Sequence, residues 1–193
     1  MSIEMQPLTS NCWNDLESLF STNGACGGCW CMFWRLERAE YKKLRGDGTK
    51  AVLKRMAEQG EAPGLVAYLD GKPAAWCSIG PREDYHALEN SRILKRVDDS
   101  PVWSIACFFV AKPFRKKGLM YDLLRGAVDY AAQNGAKMIE GYPIDMQHPK
   151  LAGQKLNGPS GFMGIAAAFR QVGFVEVGRA SETQLIMRYT VQD

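Results

Sequence analysis

The chain has 193 residues, 46% of them hydrophobic and 23% charged, with a net charge of +3. That length predicts one domain with a sizeable core, and the composition is that of an ordinary globular chain. So small a charge argues against nucleic acid or an anionic membrane as partner, and no apolar run is long enough to span a bilayer.

The opening Met-Ser-Ile-Glu-Met-Gln-Pro has no basic segment followed by an apolar one. It predicts no secretory leader, a cytoplasmic location and six cysteines held as thiols. Ser2 to Leu8 alternates loosely and predicts an edge strand. Thr9 or Ser10 caps a helix running to Phe20, with Trp13, Leu16, Leu19 and Phe20 on its apolar side. Asn23-Gly24 breaks it.

The next stretch reads Cys26-Gly-Gly-Cys29-Trp-Cys31-Met-Phe-Trp34-Arg35. Clustered thiols raise structural zinc, which needs four ligands, and no further Cys or His lies close by. A Cys26–Cys29 redox pair is a second reading. The preferred one is small thiols and aromatics packing as core, with no metal and no catalytic cysteine. Leu36 to Leu44 continues as a charged helix, Gly46-Asp47-Gly48 breaks the chain, and Thr49 to Gln59 is a further helix with Val52, Leu53 and Met56 apolar. Leu65–Leu69, Asp70-Gly71 and Ala74–Ile79 predict a β-hairpin. Pro81 to Ser100 is irregular or a short helix, with His86 on the surface.

Val102 to Val110 is almost unbroken apolar, as a strand covered on both faces should be. From Leu119 the period becomes helical: Leu119, Leu123, Leu124, Ala127, Val128 and Ala131 share a face, and Asn134-Gly135 ends the run. Lys112, Arg115, Lys116 and Lys117 cluster where this helix begins. A helix N-terminus already carries partial positive charge, so each cation there is disfavoured by about 0.3–1 kcal/mol. A bound polyanion, held by backbone N–H groups and by those side chains, explains the cluster, and Gly118 lets the backbone come close to it.

Lys137 to Tyr142 predicts a short strand. Glu140 sits inside its apolar run with Tyr142 on the same face, and burial would raise a carboxyl pKa towards the range of a general base. The alternative is a Glu paired with an arginine. Asp145 and His148 are weaker candidates on the Pro143–Ser160 loop, which lacks periodicity and reads as a substrate loop, a dimer contact or a mobile segment. Gly161 to Val172 predicts a helix capped by Ser160, and Phe174–Gly178 and Gln184–Thr190 predict closing strands. Neither the nucleotide phosphate loop Gly-x-x-x-x-Gly-Lys-Ser/Thr nor the dinucleotide fingerprint Gly-x-Gly-x-x-Gly is present.

Arg115-Lys116-Lys117-Gly118-Leu119-Met120 resembles the pyrophosphate loop of the GNAT superfamily of N-acetyltransferases, with Met120 departing from the usual Gly or Ala. Val110 stands where that family's strand precedes the loop, and Phe169-Arg-Gln-Val-Gly-Phe-Val-Glu-Val resembles its closing helix, Gly-Phe turn and strand. The likeness runs from about Gly64 to Tyr189. It implies an α/β (α+β) fold: a mixed, mostly antiparallel central sheet, splayed between two middle strands and flanked by helices. It also implies a single domain, with residues 1–60 on the acceptor side and 64–190 binding acetyl-CoA. The implied activity is acetyl transfer from acetyl-CoA to an amine by direct attack, with no metal.

The roles that follow from the resemblance are main-chain groups of Phe108, Phe109 and Val110 for the pantetheine arm and carbonyl, and Arg115, Lys116, Lys117, Gly118, Leu119 and Met120 for the pyrophosphate. Trp30, Phe33 and Trp34 form an apolar acceptor wall. Glu140 serves as base, with Tyr142 beside it as the other catalytic candidate. Phe169 occupies the place of the family's usual Tyr acid, so Tyr121, Tyr142 or water must protonate the leaving thiolate. The implied partner is a small-molecule or peptide amine, with no nucleic acid and no membrane, and a homodimer is possible. Two alternatives stand beside this reading: a non-catalytic acyl-CoA sensor or partner-binding module, and a redox or metal protein built on the Cys26–Cys31 segment.

Overall fold

A computed structural model describes residues 2–155 and 161–192. The apolar runs on either side of Asp70-Gly71 pair as an antiparallel hairpin of β2 (Gly64–Leu69) and β3 (Lys72–Pro81). Asp70 and Gly71 take left-handed φ values of 49° and 76°, the backbone twist that a tight hairpin turn requires. β1 (Ile3–Pro7) adds antiparallel to β2, and β4 (Trp103–Val110) adds antiparallel to β3. β5 (Met138–Gly141) runs parallel to β4. β7 (Leu185–Thr190) and β6 (Val175–Arg179) complete a seven-stranded sheet of order β1-β2-β3-β4-β5-β7-β6.

Six α-helices lie among the described residues: α1 (Trp13–Phe20), α2 (Arg38–Leu44), α3 (Asp47–Glu58), α4 (His86–Glu89), α5 (Leu119–Gln133) and α6 (Ala166–Val172). α5 buries the apolar face its sequence spells out, Leu123 through Ala131 against Ala75, Cys77, Ile105 and Ile139, and Leu119 against Leu69 and Ala74. On the other face α1 and the Cys26–Leu36 segment pack Phe20, Trp30 and Met32 against Val66, Tyr68 and Trp76.

Two irregularities in β4 shape the middle of the sheet. Ser78 pairs with Cys107 but Ile79 pairs with Ile105, so Ala106 is an extra residue. This bulge switches facing: Ile105 packs on the α5 side, whereas Cys107 packs on the α1 side. The second is a splay. β4 and β5 pair only through Trp103–Ile105 and Ile139–Gly141, yet β4 runs on to Val110. Residues 161–165 occupy the mouth of the gap. The Phe108 N–H donates to the Phe162 carbonyl at 2.6 Å, and the Ile144 N–H donates to Gly164 at 3.0 Å.

The predicted Gly161–Val172 helix is therefore a helix only from Ala166. Gly164, at φ +90°, is left-handed, and the Ala166 N–H pairs with the Ile144 carbonyl, so non-local bonding replaces the first helical turns. The proposed Ser160 cap lies outside the described residues. The other predicted elements are present with shifted ends, the charged helix beginning at Arg38 rather than Leu36.

Candidate functional site

The turn joining β4 to α5 has two left-handed residues, Lys116 at φ 62° and Gly118 at φ 82°. Such alternation turns successive N–H groups to one side and makes an anion-binding concavity at the helix start. A Cβ on Gly118 would meet nothing within 4 Å, so that face of the turn is open. Arg115 Nε donates to the Val110 carbonyl at 2.8 Å and fastens the turn to the end of β4. Lys112, Arg115, Lys116 and Lys117 are exposed, and Asp122 is the one acidic residue in the first turn of α5.

A cavity of about 380 Å³ runs from this turn along the free edge of β4. Phe108, Phe109, Val110, Arg115, Lys116, Gly118, Leu119 and Met120 line it, joined by Phe162 from the far side. Lys117 does not; its ammonium lies 5.7 Å from the centre of the Phe114 ring. The strand's alternation separates the three main-chain candidates. Phe108 directs its N–H into the gap, and the Val110 carbonyl is reached there by Arg115. Phe109 stands opposite Trp76 and its main chain faces β3, so it contributes its ring instead.

A second cavity of about 240 Å³ adjoins the first, sharing Phe108, Phe109, Arg115 and Phe162 with it. Its walls are Cys26, Cys29, Cys31 and Cys107 with Phe33, and Tyr41 and Arg45 of the α2 region complete it. All six cysteines of the chain are free thiols. The Sγ atoms of Cys31 and Cys107 are 2.9 Å apart. Their mutual hydrogen bond and burial push the Cys31 thiol up, burial pushes the Cys29 thiol up, and burial likewise raises the Tyr41 hydroxyl. No carboxylate or imidazole lines either cavity among the described residues. Nor do the described residues contain a group of three or more His, Cys, Asp or Glu placed to hold a metal ion.

Of the expected aromatic wall, only Phe33 reaches the second cavity. Trp30 stacks on Trp13, and Trp34 packs beside Tyr85 and Tyr142 in the core. Tyr41, Arg45, Cys107 and Phe162 are not singled out by the sequence, and the Cys26–Cys31 thiols are singled out there only for a metal or redox site. The density of the Cys26–Trp34 run was the available signal.

Glu140 and Tyr142 line neither cavity. The Glu140 carboxylate is buried, receiving Arg188 Nε at 2.7 Å, Arg82 Nη1 at 3.3 Å and the Tyr142 hydroxyl at 3.0 Å. Arg188 also grips Asp98 through both terminal nitrogens, and that hydrogen bonding holds the Asp98 carboxyl well below the usual carboxylate range. Tyr142 bonds Arg82 and Ser104 as well, and burial pushes its phenol well up. Both residues sit in an ion-pair network at the paired end of the β4–β5 junction. Asp145 pairs with Arg170, and His148 caps the Pro149–Leu151 turn. Neither lines the two cavities.

A family model described as "Acetyltransferase (GNAT) family" matches residues 30–144, more than half the chain. No curated protein sequence matches. Solved structures share the fold across nearly the whole length at low identity. PaiA N-acetyltransferase from Thermoplasma acidophilum, in complex with coenzyme A, is 12% identical at a TM-score of 0.54, covering 99% of this chain and 100% of that one. Ard1 from Thermoplasma volcanium is 11% identical at a TM-score of 0.52, with 100% of each chain covered. An acetyltransferase of the GNAT family from Listeria monocytogenes is 9% identical at 0.56, covering 98% and 95%.

Proposed function

This chain belongs to the acetyltransferase (GNAT) family, and from that membership we propose that it transfers an acetyl group from acetyl-CoA directly to the nitrogen of an amine. The observation that carries the reading is the splay. β4 leaves its parallel partner after Ile105, and a cavity follows its free edge to a turn built for an anion.

The residues present fit acetyl-CoA. The N–H groups and cations of 115–120 suit the pyrophosphate, with Arg115, Lys116 and Gly118 nearest and Lys117 adding charge from outside the cavity. Leu119 and Met120 supply an apolar floor. Phe108 and Val110 offer main-chain groups for the pantetheine amides and the thioester carbonyl, as strand edges do for extended ligands. The Phe108 N–H reaches them only by exchanging its bond to Phe162. The acceptor nitrogen would approach from the second cavity, where the two join at Phe108.

As the amine attacks the carbonyl carbon, the C–S bond breaks and CoA leaves as thiolate. With no carboxylate or imidazole lining the cavities among the described residues, the amine arrives uncharged and its proton passes to water or to the thiolate. Glu140 and Tyr142 hold the sheet rather than move that proton. The binding-only alternative shares the first cavity and differs in showing no CoA release.

The test is Gly118→Asp, which puts a carboxylate at the turn. Acetyl-CoA affinity measured by calorimetry should fall at least about tenfold, near 1.4 kcal/mol. Gly118→Asn, which tolerates left-handed φ without adding charge, should lose much less. Equal affinities for Gly118→Asp and wild type, in folded protein, would remove the turn from the site.

A further inference from the structure

We propose that the acceptor is an arylamine that also carries a carboxylate. The inference rests on the acetyl-transfer reading above and specifies what enters the second cavity. Three observations converge on it.

The first is the missing proton acceptor. An alkylammonium with a pKa of about 10.4 is free base in only roughly one molecule in a few thousand at neutral pH. Such an ammonium must lose a proton before it attacks, a step that a positioned base speeds by roughly 10²–10⁴-fold. Here the cavity offers thiols and a phenol, with Cys29, Cys31 and Tyr41 all held more firmly protonated than usual. An arylamine needs no such group, because its nitrogen is unprotonated at neutral pH.

The second is the wall. Phe33, Phe109 and Phe162 stand with four thiols around a space of about 240 Å³. An apolar protein cavity of about 150 Å³ accepts benzene, so this one has room for a single ring and a substituent. A polyamine or aminosugar would bring charges that no acidic group lining this cavity among the described residues meets.

The third is the charge that is present. Arg115 is tied to β4 and committed to the turn, which leaves Arg45 as the second cavity's own cation. Its Nε donates to the Gly27 carbonyl at 2.6 Å, so the exposed guanidinium is anchored at the cavity wall. A planar fork is the group best suited to a carboxylate.

The experiment first measures acetyl-CoA binding by calorimetry. It then measures acetylated product by chromatography with 4-aminobenzoate, aniline, phenethylamine and spermidine. At neutral pH, kcat/KM for 4-aminobenzoate should exceed those for aniline and for phenethylamine by at least about tenfold. Its rate should stay flat as pH rises, whereas any phenethylamine rate should climb about tenfold per pH unit with its free base. Arg45→Met should cut the ratio of 4-aminobenzoate to aniline at least about tenfold. That ratio is taken within one variant, so a change in the folded fraction cancels. Acetyl-CoA binding with transfer to phenethylamine or spermidine as the better acceptor overturns this proposal and leaves the acetyl-transfer reading standing. A ratio unmoved by Arg45→Met overturns the carboxylate. No acetyl-CoA binding, or binding with no transfer to any of the four amines, removes this proposal, and the former removes the parent reading with it.

Discussion

Glu140 lies between two guanidinium groups, with its side chain 1% exposed. Removing one partner of a buried ion pair leaves the other charge uncompensated, at about 3–5 kcal/mol. Asp98 still faces Arg188 and Glu89 still faces Arg82, so Glu140→Gln belongs at the lower end. The expected loss is about 3 kcal/mol, a fall in Tm of roughly 6–12 °C for a chain of this size. Thermal melts check the size of the loss, and a pH–rate profile of the variant should keep its wild-type shape. A variant that melts like wild type but loses the acidic limb of that profile would return Glu140 to catalysis. From sequence, a carboxylate in an apolar strand reads equally as base or as ion-pair partner. The deciding residues, Arg82 and Arg188, are remote in the chain: the β5–β7 register sets Arg188 opposite Glu140, and the turn after β3 brings in Arg82.

Local elements were the most legible. α5 declared itself by its apolar period and by Gly135, and the β2–β3 hairpin by Asp70-Gly71. The run of cations before α5 marked the β4–α5 turn as well, because cations are disfavoured at a helix N-terminus. What local pattern did not reveal was made by long-range pairing: the bulge at Ala106, the Gly161–Ile165 segment bonded to Phe108 and Ile144, and the thiol-lined cavity between β4 and the Cys26–Phe33 stretch.

α6 shows the same limit. Phe169 stood out as a missing hydroxyl, but its fitness comes from packing. It is fully buried, edge-on to Phe108 and Phe174, and so close to Gly141 that a Cβ there would lie 2.1 Å from the ring. A hydroxyl on that ring would extend into close-packed surroundings. Phe169→Tyr is therefore expected to lower stability by about 1–3 kcal/mol and to give no increase in acetyl transfer. Denaturant unfolding and turnover of the same preparation check both halves. A stable variant with faster turnover would mean that the site has space for, and lacks, a proton donor at this position.

The sheet as a whole is fastened at one end and open at the other. Near the start of β4, three paired residues and the Arg82–Glu140–Arg188–Asp98 network join the β1–β4 half to the β5–β7 half. Towards Val110 the halves are bridged by the Phe108–Phe162 bond and by the packing of Phe108 on Phe169. A ligand lying along the free edge of β4, with its anionic end in the 115–120 turn, would touch β4, α5 and the 161–165 segment together. It would therefore bind the folded sheet and not the separated halves. Linkage sets the size of the effect: at about a hundred times its Kd, acetyl-CoA should stabilise the protein by about 2.7 kcal/mol, raising Tm by roughly 5–11 °C. Gly118→Asp should lose about half of this shift or more at the same ligand concentration, because its affinity is at least about tenfold lower. Glu140→Gln should start from a lower Tm and keep the shift, since its loss lies at the fastened end. Calorimetric melts with and without acetyl-CoA measure all three. A wild-type Tm that does not move at a high acetyl-CoA concentration would mean that the folded chain does not bind it.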